Sequence, residues 1–153
     1  MLKAGIKAPP FTLADASGVK QSLSDILKRG PALVALYKVS CPVCQLTFPF
    51  LDRIGKGSLQ VIGISQDDER ATEKFRQAYS PDLPMLLDRA GEGYPVSNDY
   101  GISHVPSMFL IEQDGTISTA WEGFVKREME SAGARAGVQP FHPDERVPDW
   151  KAG

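Results

Sequence analysis

Ala32-Leu33-Val34-Ala35-Leu36-Tyr37, followed a few residues on by Cys41-Pro42-Val43-Cys44, is the stretch that decides the fold. The first run is apolar throughout rather than alternating, as a strand buried on both faces of a parallel sheet requires. Pro42 to Ile54 then carries Leu46, Phe50, Leu51 and Ile54 at helical spacing, and Gly55 and Gly57 mark its end. A second apolar run, Leu59 to Ser65, predicts another buried strand. The three segments make a βαβ unit with a right-handed crossover.

The chain has 2 cysteines in 153 residues and places both at this strand-to-helix junction. With the helix starting at Pro42, Cys41 is its capping residue, and proline takes a position where its missing amide proton costs nothing. The free amides and partial positive charge of that helix end favour a thiolate at Cys41. Thiolate is the form that attacks disulfides. Cys44 follows about one turn later on the same side. The expected catalytic roles are nucleophile for Cys41 and resolving thiol for Cys44. No cofactor is expected, since the two sulfurs carry the electrons themselves. Competing readings are a pair of structural thiols, or half of a zinc site completed by His104 and His142. The wide separation of those histidines argues against zinc, and no metal is expected.

Outward from the junction, Ala8-Pro9-Pro10-Phe11-Thr12-Leu13 reads as extended and Ser17-Gly18 as a turn. Ser22 caps a short helix bearing Leu23, Ile26 and Leu27. Residues 1–30 are therefore an N-terminal hairpin extension. Asp67-Asp68-Glu69 opens a further helix, with Ala71, Phe75, Ala78 and Tyr79 as its inner face. Leu83 to Leu87 predicts a short strand and Pro95 to Tyr100 a brief helix. Ser107 to Ile111 and Thr116 to Trp121 flank Asp114-Gly115, a hairpin signal that needs positive φ. Phe124 to Ala136 reads as the closing helix, with Val125, Met129, Ala132 and Ala136 as its stripe and Gly137 as a left-handed stop. Residues 138–153 contain Pro140, Pro143 and Pro148, which exclude a regular helix or central strand. Phe141 and Trp150 favour a surface strap over disorder. The reading is α/β, with one domain over residues 1–137 and a proline-containing tail.

A composition of 42% hydrophobic and 24% charged residues suits one ordinary globular domain. A formal charge of −2 provides no long-range field for nucleic acid or anionic lipid. No run approaches a membrane span, and Met1 to Lys7 lacks the apolar segment of a secretory signal. A cytoplasmic setting is expected on that basis. In a reducing cytosol a lone cysteine pair is catalytic, sensing or metal-binding rather than a staple.

The pattern Gly5-x-x-Ala8-Pro9-x-Phe11-x-Leu13, the strand leading to Cys41-x-x-Cys44, and Tyr100-Gly101-Ile102-x-x-Val105-Pro106-Ser107-x-Phe109-Leu110-Ile111-x-x-Asp114-Gly115-x-Ile117 resemble the thioredoxin superfamily. The branch most resembled is the redoxins, which hold the TlpA/ResA-like thiol-disulfide oxidoreductases and the AhpC/TSA peroxiredoxins. The resemblance implies a thioredoxin-like fold, a central mixed sheet flanked by helices. It also implies that Val105-Pro106 is a cis-proline loop lying against the cysteines, offering the Val105 backbone to an extended substrate. Thr47-Phe48-Pro49 matches the proline that members carry in the active-site helix.

Three departures stand out. Ser40 replaces the usual tryptophan, Ala35 the buried acid of thioredoxin, and Thr47 the glutamate of ResA-like proteins. The resemblance implies a dithiol-disulfide oxidoreductase acting on a protein disulfide or small-thiol partner. The alternative it implies is a peroxidase with Cys44 as the peroxide-attacking residue and Cys41 as the resolving one. That reading lacks the arginine expected near His104-Val105-Pro106-Ser107. A binding module with redox-sensing or metal-holding cysteines is the third reading.

Overall fold

The computed structural model describes residues 1–153. The first part of the chain runs β1 (Thr12–Ala14), β2 (Lys20–Ser22), α1 (Leu23–Lys28), β3 (Ala32–Tyr37), α2 (Pro42–Ile54) and β4 (Gln60–Ser65). The second runs α3 (Glu69–Tyr79), β5 (Met85–Leu87), α4 (Pro95–Asp99), β6 (Ser107–Ile111), β7 (Ile117–Glu122), β8 (Phe124–Val125), α5 (Lys126–Ala136) and β9 (Trp150–Lys151). Five strands form a mixed sheet in the order β5-β4-β3-β6-β7. The pairs β3–β4 and β4–β5 are parallel, whereas β6 and β7 run antiparallel. β1 and β2 form the expected N-terminal hairpin. No helix is long and apolar enough to cross a membrane.

β3 lies at the centre, buried along its whole length. Its alternating side chains feed two separate cores. Leu33, Ala35 and Tyr37 join Phe48, Leu51 and Ile54 of α2, Phe75 of α3, and Met129, Ala132 and Ala136 of α5. Ala32, Val34 and Leu36 join Leu23, Ile26 and Leu27 of α1, Val96 of α4 and Tyr100 on the opposite face. Cys44 belongs to the first core.

The structure departs from the sequence reading at several points. On α3 the inner position belongs to Thr72, while Ala78 is exposed. Thr72 buries its hydroxyl by donating to Ser65 Oγ at 2.6 Å, which makes a polar residue fit for that face. The hairpin connection spans residues 112–116, and only Gly115 in it has positive φ, at 91°. Asp114 instead accepts the Thr116 amide on its carboxylate.

Phe124 and Val125 are not helical. They form β8, paired antiparallel with β9 of the tail, and α5 starts only at Lys126. The tail is a strap, held by Phe141, whose ring stands 4.8 Å from that of Phe50 and 5.9 Å from that of Phe124. Arg53 of α2 fastens it further through Pro140 O at 2.8 Å and both Glu145 carboxylate oxygens at 2.6 and 2.9 Å. Trp150, expected to help anchor the tail, is 62% exposed.

Candidate active site

α2 begins as its sequence requires. Pro42 occupies the first turn, and Cys41, with extended backbone angles of φ −81° and ψ 116°, is the capping residue. Cys41 Sγ accepts the Cys44 amide proton at 3.1 Å, taking the place a serine hydroxyl would hold in an ordinary cap. No acidic residue lies in the first turn to oppose negative charge there. Cys41 is half-buried, Cys44 is wholly buried, and both are free thiols.

The Val105-Pro106 peptide bond is cis. Its loop faces the cysteines: Cys41 Sγ lies 3.5 Å from Val105 O. Pro106 is buried and its carbonyl accepts the Gly123 amide at 2.8 Å, while Ser107 Oγ donates to His104 O at 2.6 Å. The loop is thereby tied to β6 on one side and to the β7–β8 turn on the other.

Burial pushes the Cys44 thiol well above the ordinary cysteine range. Hydrogen bonding to Cys41 and the negative charges of Cys41 and Asp67 act in the same direction, and the Lys38 backbone amide opposes them. Neither Ala35 nor Thr47 offers a carboxylate to take the Cys44 proton. Thr47 is buried and donates instead to Val43 O of its own helix at 2.7 Å.

Asp67 is a site residue that sequence reasoning missed. Its sequence neighbourhood places it in the acidic start of α3, but Asp68 is the cap of that helix, accepting the Ala71 amide at 2.8 Å. Asp67 turns the other way, and its Oδ2 accepts the Val39 amide at 2.8 Å. Gln45 Nε2 donates to Val39 O at 3.0 Å. The turn from Lys38 to Cys41 is thus pinned on both sides of Val39. No sequence-local signal marks this contact, which joins residues 28 positions apart.

The four residues weighed for zinc are not brought together. His104 lies beside Glu122 at 3.5 Å and His142 beside Glu145 at 3.6 Å. No cluster of three or more His, Cys, Asp or Glu side chains is placed to hold a metal ion.

A mixed sheet, a helix capped by one cysteine of a Cys-x-x-Cys pair, and a cis-proline loop against that cysteine define a thioredoxin-like protein with a candidate dithiol centre. The chain belongs to the AhpC/TSA family, whose pattern matches residues 4–120. It is similar to the thioredoxin-like protein YneN of Bacillus subtilis (strain 168), with 26% identity over 137 residues, 84% of this chain and 78% of that protein. It is also similar to the thiol-disulfide oxidoreductase ResA of Geobacillus thermodenitrificans (strain NG80-2), with 24% identity over 129 residues, 81% of this chain and 72% of that protein. Among solved structures, the thioredoxin domain of a thiol-disulfide oxidoreductase from Bacteroides vulgatus shares the fold. Its TM-score is 0.77 at 21% identity, covering 88% of this chain and 98% of that domain.

Proposed function

We propose that this protein is a thiol-disulfide oxidoreductase in which Cys41 is the nucleophile, Cys44 the resolving thiol, and the Val105-Pro106 loop the seat of the substrate. The asymmetry of the two sulfurs carries this reading. Cys41 is partly open at a helix N-terminus, while Cys44 is sealed in the core with its thiol pushed up. The names of the relatives YneN and ResA support the same class.

In the reducing direction, the Cys41 thiolate attacks one sulfur of a substrate disulfide, forming a mixed disulfide and releasing the other sulfur as a thiolate. Cys44 then loses its proton and attacks Cys41 Sγ, which forms the Cys41–Cys44 disulfide and releases the second substrate thiol. Two electrons pass to the substrate, and an external dithiol must return the pair to its reduced form. The order of events suits the electrostatics. Two of the influences that hold the Cys44 proton come from Cys41, through a hydrogen bond and through negative charge. Both end when Cys41 enters the mixed disulfide, so the resolving thiol gives up its proton more readily at that step, while burial, the largest influence, continues to hold it.

Substitution tests the roles. Cys41→Ser abolishes disulfide exchange, and Cys44→Ser accumulates a substrate adduct on Cys41 visible by mass spectrometry. Equal loss in both variants with no adduct overturns the assignment. The peroxidase reading requires Cys44 to meet peroxide as a thiolate, and the burial of that residue speaks against it. Thiol oxidation by peroxide is expected to be no faster than that of free cysteine.

A further inference from the structure

Residues 150–153 lie against the reactive loop and β8. β9 pairs with β8, bringing Lys151 opposite Phe124 and Trp150 opposite Val125, and the Lys126 amide donates to Asp149 O at 3.0 Å. Two glycines permit this approach. A β-carbon on Gly123, whose φ is +75°, would stand 2.3 Å from Lys151 O, and one on Gly153 would stand 2.2 Å from Val105 O. That Val105 oxygen is the one lying 3.5 Å from Cys41 Sγ. The strap tip and the nucleophilic sulfur therefore meet at a single carbonyl group.

The hold on the strap weakens outward. Through Glu145 it is fixed by Arg53 and by the Phe141 ring. From Arg146 to Gly153 no residue is fully buried, only Val147 packs against the core, and the only strand pairing is two residues long. So short a pairing is marginal in water, and its loss leaves the inner anchor intact. An extended polypeptide bringing a disulfide to Cys41 would pass over Val105, the place that Gly153 fills.

We propose that residues 148–153 are a displaceable internal strand that occupies the Val105 backbone and the β8 edge in the free protein, and that an extended polypeptide substrate must replace it to reach Cys41. The partner this fits is an unfolded or loop segment able to add as a strand, in contrast to a small disulfide that touches only the sulfur. The proposal rests on the oxidoreductase reading for the meaning of that replacement. A strap seated most of the time divides the apparent affinity for the segment by the inverse of the open fraction, about tenfold if one molecule in ten is open.

Two full-length variants release the tip. Gly153→Val places side-chain atoms where Val105 O lies, and Lys151→Pro breaks the β8–β9 pairing. With an unstructured peptide carrying one internal disulfide, both are expected to lower KM roughly three- to tenfold with kcat unchanged. With hydroxyethyl disulfide, both are expected to match the native protein. An unchanged KM for the peptide in both variants overturns the proposal. Should the native protein reduce neither disulfide, the oxidoreductase reading fails by itself. The strap is then judged by titrating the same peptide with serine in place of cysteine. Tighter binding to both variants, with movement of the Trp150 indole resonance in the native protein, supports it. Equal affinities and an unmoved resonance overturn it.

Discussion

Asp67 offers the sharpest test of how the site is held, because two substitutions there should act in opposite directions. Its carboxylate accepts the Val39 amide at 2.8 Å and so fixes the turn leading to Cys41. The same negative charge helps to hold the proton on Cys44. Asp67→Ala removes the acceptor and leaves a partly covered amide unpaired, which costs about 1–2 kcal/mol for a half-buried group. If that cost falls on the turn that aligns Cys41 with Cys44, the well-seated population drops by a factor of about 5–30. Asp67→Asn keeps an oxygen for the Val39 amide and removes the charge. The turn stays in place, the Cys44 thiol loses one of the influences raising it, and its deprotonation moves to lower pH.

The assay is single-turnover decay of the mixed disulfide, followed by acid quench across a pH series. The alanine variant should resolve the adduct about 5–30 times more slowly than the native protein. The asparagine variant should resolve it at least as fast near neutrality, with its rate profile displaced toward acid. Beyond burial, the influences raising the Cys44 thiol come from Cys41 and Asp67, and the Lys38 backbone opposes them. Of these only Asp67 is altered, and Cys41 is engaged in the adduct. An alanine variant as fast as native, or an asparagine variant as slow as alanine, would refute the account.

Two further predictions concern the scaffold. Gly63→Ala in β4 puts a β-carbon 2.3 Å from Met85 Sδ, the atom that accepts the Tyr37 hydroxyl at 3.3 Å, and 3.2 Å from ring atoms of Phe48 and Tyr37. Overpacking of this kind costs about 1–3 kcal/mol and should lower Tm by several degrees in a calorimetric scan, whereas an unchanged Tm would mean the pocket yields freely. Glu145 is held at about 2, below its ordinary value of 4.5, first by the Arg53 side chain and then by the His142 amide. Its contribution to stability is therefore present above about pH 4.5 and lost as pH falls through about 2. Acid denaturation of the native protein should take up roughly one proton more in that window than that of Glu145→Gln, and identical pH slopes would show the anchor to be inert.

What could be read in the sequence follows the range of the forces involved. β3 and α2 were legible residue by residue, because an unbroken apolar run and a Cys-Pro helix start are local signals. Thr72 is not marked as an inner residue by its own neighbourhood, because its burial depends on the Ser65 hydroxyl, which lies on a different element. Phe124 and Val125 fit a helical stripe in their own neighbourhood, and only their pairing with Trp150 and Lys151 makes them strand. Asp67 is hidden for the same reason: an acidic residue before a helix satisfies the local expectation of charge at its dipole, and nothing nearby shows that the carboxylate serves Val39 instead. The placement of Val105-Pro106 against Cys41 was available only through family resemblance, since the two lie 64 positions apart.

The separation of the two cores by the sheet has a consequence for evolution of the molecule. Both thiols and the strap's anchor share one side, while the N-terminal hairpin, α1 and α4 pack on the other. Chemistry at the sulfurs is insulated from that far layer by a full thickness of backbone. Lineages are free to remodel, lengthen or fuse onto the hairpin side with little effect on the redox pair, whereas changes beneath α2 and α5 would retune it directly.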